Sequence, residues 1–115
     1  HSNNIKRRKI AKLYDNKIIN KKIKKLNYSI GAVYHQYVVI TEKRKKLIDL
    51  LDKNNIQYGF HYPKSINQIE SLKNLFSRQK YPNSENLAKN CISLPIDPNL
   101  KKNELFKIIK ILNSF

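Results

Sequence analysis

The chain has 115 residues and a mass of 13.6 kDa, which is enough for one domain with a modest core of its own. One cysteine excludes an intramolecular disulfide framework and, with only three histidines, a cysteine-rich zinc module. Two glycines exclude a Gly-rich phosphate loop of the Walker or Rossmann type, and the formal net charge is +16.

The positive charge has two explanations. Lysine supplies 20 of the 24 basic residues, and asparagine (15) and isoleucine (16) are also numerous, a bias that A/T-rich codons produce. Arginine, the better bidentate ligand for phosphate, is scarce. The composition therefore favours a solvated lysine-rich surface and argues against a nucleic-acid partner. A stand-alone basic module that binds nucleic acid or another polyanion is the alternative.

Hydrophobic periodicity predicts a first helix over residues 5–26. A run of β-branched and aromatic residues predicts a strand over 33–40. Thr41 suits the N-cap of a second helix that ends near Lys53. A shorter strand is predicted over 56–60, before Pro63.

The second half is less regular at first. Residues 64–82 allow one short helix, and Asn83 or Ser84 can cap a helix that runs to about Asn90. A short edge strand over 92–96 and a final amphipathic helix from about Lys102 follow. The order α-β-α-β-α-β-α predicts an α/β (α+β) sandwich over a single domain, residues 1–115, with helices packed on a small sheet of about three strands.

Few residues offer chemistry. His61 and Tyr62 place two hydrogen-bonding groups at a strand end, although the residues alone favour a surface histidine beside a packed aromatic. Period-two alternation puts His35 and Tyr37 on one face of the first strand, which favours a structural role for both. Cys91 is predicted on the inner face of a helix, as a buried and inert thiol. The scattered carboxylates form no catalytic pair and no metal site.

Several stretches of the chain stand in a characteristic order and spacing. They are KRRKIAKLY at 6–14, VYHQYVVITEKR at 33–44, QYGFHYP at 57–63, YPNSENLA at 81–88 and SLPIDPNL at 93–100. Over nearly the whole chain they resemble the C-terminal small domain of the DegT/DnrJ/EryC1/StrS family of sugar aminotransferases, which depend on pyridoxal phosphate (PLP). The resemblance implies the small, mainly antiparallel sheet of fold-type I aminotransferases.

The chain also departs from the family pattern. Ser65 and Asn67 stand where the family commonly has a second proline and a second histidine, Ile40 where it often has arginine, and Asn55 where it often has glycine. These changes affect expected substrate contacts and leave the fold prediction intact.

The resemblance implies a function for a larger assembly. PLP would bind a large domain, in the same or a separate chain, so this chain alone is expected to hold no cofactor, supply no catalytic residue and be inactive. His61 and Tyr62 match the family's HYP motif and are the expected substrate-side residues, whereas His35 and Tyr37 are expected to be structural. The implied partners are a second copy in a homodimer, a nucleotide-sugar substrate and an amino-acid donor, in amino-sugar or surface-polysaccharide biosynthesis.

Location follows from what the sequence lacks. The start of the chain has no apolar h-region, and no apolar run approaches the roughly 20 residues that span a bilayer. We therefore expect a cytoplasmic protein without a membrane partner.

Overall fold

Helices and short strands alternate along the chain in the computed structural model, which describes residues 2–27, 29–76 and 79–115. Two 3₁₀ turns, Ile66–Gln68 and Glu70–Leu72, lead into the third helix. The elements are α1 (Ser2–Lys17), β1 (Lys24–Lys25), β2 (Tyr37–Ile40), α2 (Arg44–Lys53), α3 (Lys73–Phe76), α4 (Pro82–Asn90), β3 (Cys91–Leu94) and α5 (Lys102–Ser114).

The sheet has the order β1-β2-β3, and both pairings are antiparallel. This confirms the predicted α/β architecture with a three-stranded antiparallel sheet. The membership of the sheet differs from the prediction, because residues 56–60 form no strand and contribute one bridge, Gly59 to Ser93. The place expected for residues 56–60 is taken by β1, whose Lys24 pairs with Ile40 of β2.

The predicted helix over 5–26 is wrong beyond Lys17. Lys25 explains the early end, since its ammonium group donates to the carbonyls of Asp15 and Ile18 at 2.6 and 2.7 Å and so satisfies backbone acceptors that the last turn leaves open. The chain then turns into β1, which leaves Ile19 77% exposed although the helical pattern predicted a buried side chain.

The strand predicted over 33–40 is half as long as expected. Tyr34 has a φ of 50°, in the left-handed region, so the backbone cannot run extended from residue 33 and pairing starts at Tyr37. Thr41 does not cap α2, which begins at Arg44. Thr41 is buried instead, and its hydroxyl accepts a hydrogen bond from the Lys43 amide at 3.2 Å.

Two boundaries near α4 also differ. The helix begins at Pro82 with Tyr81 in the N-cap position, two to three residues before the predicted caps. Cys91 lies outside the helix, as the first residue of β3. Its predicted burial is confirmed. Helix α4 ends at Asn90 because the backbone of Cys91 is already extended.

The core lies between the sheet and helices α1, α2 and α5. The 3.6-residue periodicity correctly predicted the buried faces of α2 and α5. The buried core residues of the three helices are Ile10, Ala11, Tyr14, Leu47, Leu51, Leu105, Ile108, Ile109 and Leu112. Among the helices in the described part of the chain, none combines the length and apolar character needed to cross a bilayer.

The backbone conformation of Asn55 explains why asparagine can stand where the family often has glycine. Its φ is 54°, again in the left-handed region, directly after α2. Glycine adopts this conformation at no steric cost, and asparagine is among the residues that tolerate it best. The Asn55 and Ile56 amides donate to the carbonyls of Asp52 and Leu51, so the helix end is closed without glycine.

Candidate functional site

His61 is held against the edge of the sheet by the backbone beneath it. Gly59 and Ser93 exchange two backbone hydrogen bonds, of 3.0 and 2.8 Å. The His61 Nδ1 atom then lies 2.9 Å from the Ser93 hydroxyl oxygen. A side chain at Gly59 would collide with the ring, because a Cβ there would lie 2.8 Å from His61 Cε1. The imidazole therefore lies over the Gly59 backbone.

Tyr62 is strongly exposed, with 73% of its surface accessible. Its ring meets the His61 ring edge-on, with 5.9 Å between the centroids. Both residues border a cavity of about 380 Å³ between this segment and α4, with Phe76, Leu87, Ala88 and Cys91 among the apolar lining residues. The site thus combines polar groups at its rim with an apolar lining.

Ser65 and Asn67, the two departures beside this segment, belong to a polar network. The Ser65 hydroxyl donates to Asn67 Oδ1 at 2.6 Å, and Asn67 Nδ2 donates to Glu85 Oε1 at 2.7 Å. The Tyr81 amide donates to the same Glu85 oxygen at 3.1 Å. These hydrogen bonds lower the pKa of the Glu85 carboxyl. The network joins the residues that follow the HYP segment to the first turn of α4.

The structure brings the predicted residues to neighbouring hollows. Tyr62 borders a second hollow, of about 500 Å³, together with His35 and Tyr37. His35 and His61 border a third, of about 270 Å³. His35 precedes β2, so the predicted alternation does not apply to it, and it is exposed rather than a core histidine.

Tyr37 is buried and tied to helix α1. Its hydroxyl donates to Asp15 Oδ1 at 2.5 Å, and its ring lies 4.9 Å from the Tyr14 ring. Burial, followed by the hydrogen bond to Asp15, raises the pKa of Tyr37 above its ordinary value of 10. Sequence reasoning missed two partners in this region, Asp15 and Ser93. Ser93 carries a signal in hindsight, since it opens the SLPI stretch that faces Gly59.

The comparison with protein families matches residues 1–113 to the DegT/DnrJ/EryC1/StrS aminotransferase family. The chain belongs to this family. The family is one of PLP-dependent aminotransferases. The sequence-based resemblance is thereby confirmed over nearly the full length of the chain.

Individual relatives show how much of a family member this chain represents. It is 27% identical over 83 residues to the dTDP-3-amino-3,6-dideoxy-alpha-D-galactopyranose transaminase of Aneurinibacillus thermoaerophilus, which is 72% of this chain and 23% of that protein. DesV of S. venezuelae has the same fold over 96% of this chain and 31% of its own, with a TM-score of 0.87 and 24% identity. Helicobacter pylori PseC, an aminotransferase involved in the biosynthesis of pseudoaminic acid, matches with a TM-score of 0.84 and 24% identity, over 96% of this chain and 32% of PseC. The chain therefore spans about a third or less of these relatives.

The residues of this chain do not fit a PLP site. The lysine that binds PLP must lose its proton at working pH, which takes a desolvated or specifically charged pocket. All the lysines lie within the described residues, and every one except Lys25 is exposed. Lys25 is half-buried, and its ammonium group donates to two backbone carbonyls. Within the described residues, none of the lysines therefore lies in a desolvated pocket of the kind that a PLP-binding lysine requires.

Proposed function

We propose that this chain forms the small domain of a PLP-dependent aminotransferase that acts on keto-sugar nucleotides. The family match over residues 1–113 carries this proposal. Residues 1–115 act as one domain, and a large domain in the same or a separate chain supplies the PLP-binding lysine. An amino-acid donor, a second copy in a homodimer and a cytoplasmic location complete the proposal. This chain alone is inactive in transamination.

Within that assembly, His61 and Tyr62 lie on the substrate side. Both are exposed, and Tyr62 borders two hollows whose linings mix apolar and polar side chains. Binding sites for small polar ligands commonly have this composition. His35 and Tyr37 border one of these hollows, and the Tyr37 hydroxyl donates a hydrogen bond to Asp15, which also borders it. The closing of the site over the nucleotide sugar is the role that this exposed edge supports.

The test is reconstitution of turnover. The chain is mixed with PLP, glutamate and a keto-sugar nucleotide, first alone and then with PseC that lacks the segment matched by this chain. We expect no turnover by the chain alone and amino transfer in the mixture. His61→Ala and Tyr62→Ala should each lower turnover of the mixture, whereas Phe106→Ala, at an exposed aromatic of α5, should leave it unchanged.

The opposite results are equally clear. One PLP bound per chain on a single lysine, with turnover by the chain alone, would show that the domain is self-sufficient. Turnover of the mixture that is insensitive to His61→Ala and Tyr62→Ala would place the substrate elsewhere. Because adventitious imines form on exposed lysines, colour is not a readout, and the aminated sugar itself is measured.

A further inference from the structure

We infer that Ser93 is a positioning residue, which orients His61 and keeps the proton of the neutral imidazole on Nε2. Ser93 lies in β3 and is 6% exposed, whereas His61 is exposed. The two side chains meet at 2.9 Å between Nδ1 and the hydroxyl oxygen. The inference deepens the proposed function, and its effect on turnover rests on that function.

Two contacts leave the His61 ring little freedom. On one side, Nδ1 is tied to a hydroxyl whose position is set by the paired backbones of Gly59 and Ser93. On the other, the ring edge at Cε1 occupies the space that a Cβ at Gly59 would take. The ring nitrogen left for a ligand is therefore Nε2, and His61 borders two hollows.

The hydroxyl also selects the tautomer. A serine hydroxyl can donate one hydrogen bond, and a buried hydroxyl that cannot donate loses free energy. In the described structure, His61 Nδ1 is the side-chain atom that lies within hydrogen-bond distance of the Ser93 hydroxyl, at 2.9 Å. Donation to Nδ1 requires that nitrogen to be unprotonated, so the proton of the neutral ring lies on Nε2. When the ring is protonated, the hydroxyl accepts from Nδ1 instead.

His61 thus presents an N–H donor from Nε2 in both protonation states. A group of this kind recognises an oxygen acceptor, such as a phosphate, carboxylate or hydroxyl oxygen of the ligand. Were the proton on Nδ1, the neutral ring would present an acceptor to the same hollow. Ser93 therefore decides which ligand atom His61 can bind, without touching the ligand itself.

The first measurement needs no enzyme activity. In long-range ¹H–¹⁵N spectra of the 115-residue chain at a pH where histidine is neutral, His61 should show a protonated Nε2 and an unprotonated Nδ1. His61→Gln assigns the signals. Ser93→Ala should give a mixture of tautomers, Ser93→Thr should keep the single form, and Ser114→Ala is the control at an exposed serine. A native ring with its proton on Nδ1, or a Ser93→Ala spectrum identical to the native one, would overturn the inference.

The second measurement is a double-mutant cycle in the reconstituted mixture. Loss of one hydrogen bond predicts that Ser93→Ala lowers kcat/KM by about three- to tenfold. The same change should have no further effect in the His61→Ala background, because Ser93 acts through His61. Equal losses in both backgrounds would overturn the inference. The Nε2–H form without turnover of any mixture would instead uphold the positioning of His61 and refute the proposed function.

Discussion

Replacing Tyr37 by phenylalanine tests the contact that joins the sheet to helix α1. The substitution removes the hydroxyl that donates to Asp15 Oδ1 at 2.5 Å and keeps the ring, so its contact with the Tyr14 ring and the buried apolar area stay the same. The change in the free energy of unfolding then reports the hydrogen bond to the carboxylate. We expect Tyr37→Phe to be destabilising.

The magnitude follows from the geometry. An O–H donor 2.5 Å from an ionised oxygen is a short, charge-assisted hydrogen bond, and hydrogen bonds to charged groups contribute about 1.5–3 kcal/mol. The Asp15 carboxylate borders two open hollows, so water can replace the lost donor. The lower end, about 1.5 kcal/mol, is therefore expected. For a chain of this length, that corresponds to a fall of about 6 °C in the unfolding midpoint.

Thermal and urea unfolding followed by circular dichroism measure this change. Tyr58→Phe is the matched control, because the Tyr58 hydroxyl also donates to a carboxylate, that of Asp52 at 3.2 Å, but on the surface. Exposed pairs contribute little, so this variant should unfold at the native midpoint within error. Equal effects of the two substitutions, or no effect of Tyr37→Phe, would refute the reasoning from burial and distance.

Four further predictions concern titration, reactivity and binding. Burial raises the pKa of both Tyr14 and Tyr37 above 10. Their contribution to the free energy of unfolding is therefore complete below pH 10 and is lost as the pH rises further. A thermal unfolding midpoint that does not change up to about pH 11.5 would contradict this. Hydrogen bonds lower the pKa of Glu85, so its contribution to stability is present above its ordinary pKa of 4.5 and is lost as the pH falls. Asn67→Ala removes one of these hydrogen bonds and should weaken the pH dependence of stability measured by urea unfolding. A pH profile that Asn67→Ala leaves unchanged would contradict the role of the network. Cys91 should react slowly with a thiol reagent in the native chain because it is buried, and rapid labelling would disprove its predicted inertness. The lysine-rich surface should bind duplex DNA weakly and lose that binding steeply with salt, whereas binding that survives physiological salt would revive the polyanion alternative.

Sequence reasoning worked best where one face of an element is buried along its whole length. The periodic apolar residues of α5 and α2 predicted both helices, and their buried positions, because burial alone imposes that spacing. The same argument extended α1 too far. Ile18 and Ile23 are buried, as the helical pattern requires, but the chain between them turns, and the pattern does not distinguish a continuing helix from a return onto the same core.

The sheet and the site depended on contacts between distant residues. Strand β1 has two residues, which is too short for an alternation of apolar and polar side chains to be recognised. Segment 56–60 has the composition of a strand, but its contribution to the sheet is the pairing of one residue, Gly59. The HYP motif identified His61 and Tyr62 as candidates. Ser93, 32 residues further along, faces His61 because of an antiparallel register that the local sequence does not specify. The sequence thus indicated His61 and Tyr62 as candidates, whereas the contact between His61 and Ser93 could not be predicted from it.

The two-residue strand β1 has a consequence for solutions of the chain at high concentration. Exposed strand edges are templates on which foreign strands add and aggregates grow, and proteins guard them with brevity and with lysine. Strand β1 has both, since it consists of Lys24 and Lys25, and Lys25 is engaged with the end of α1. At the opposite edge, the Gly59 bridge occupies the backbone of Ser93. Both edges of the sheet thus have features that disfavour the addition of foreign strands.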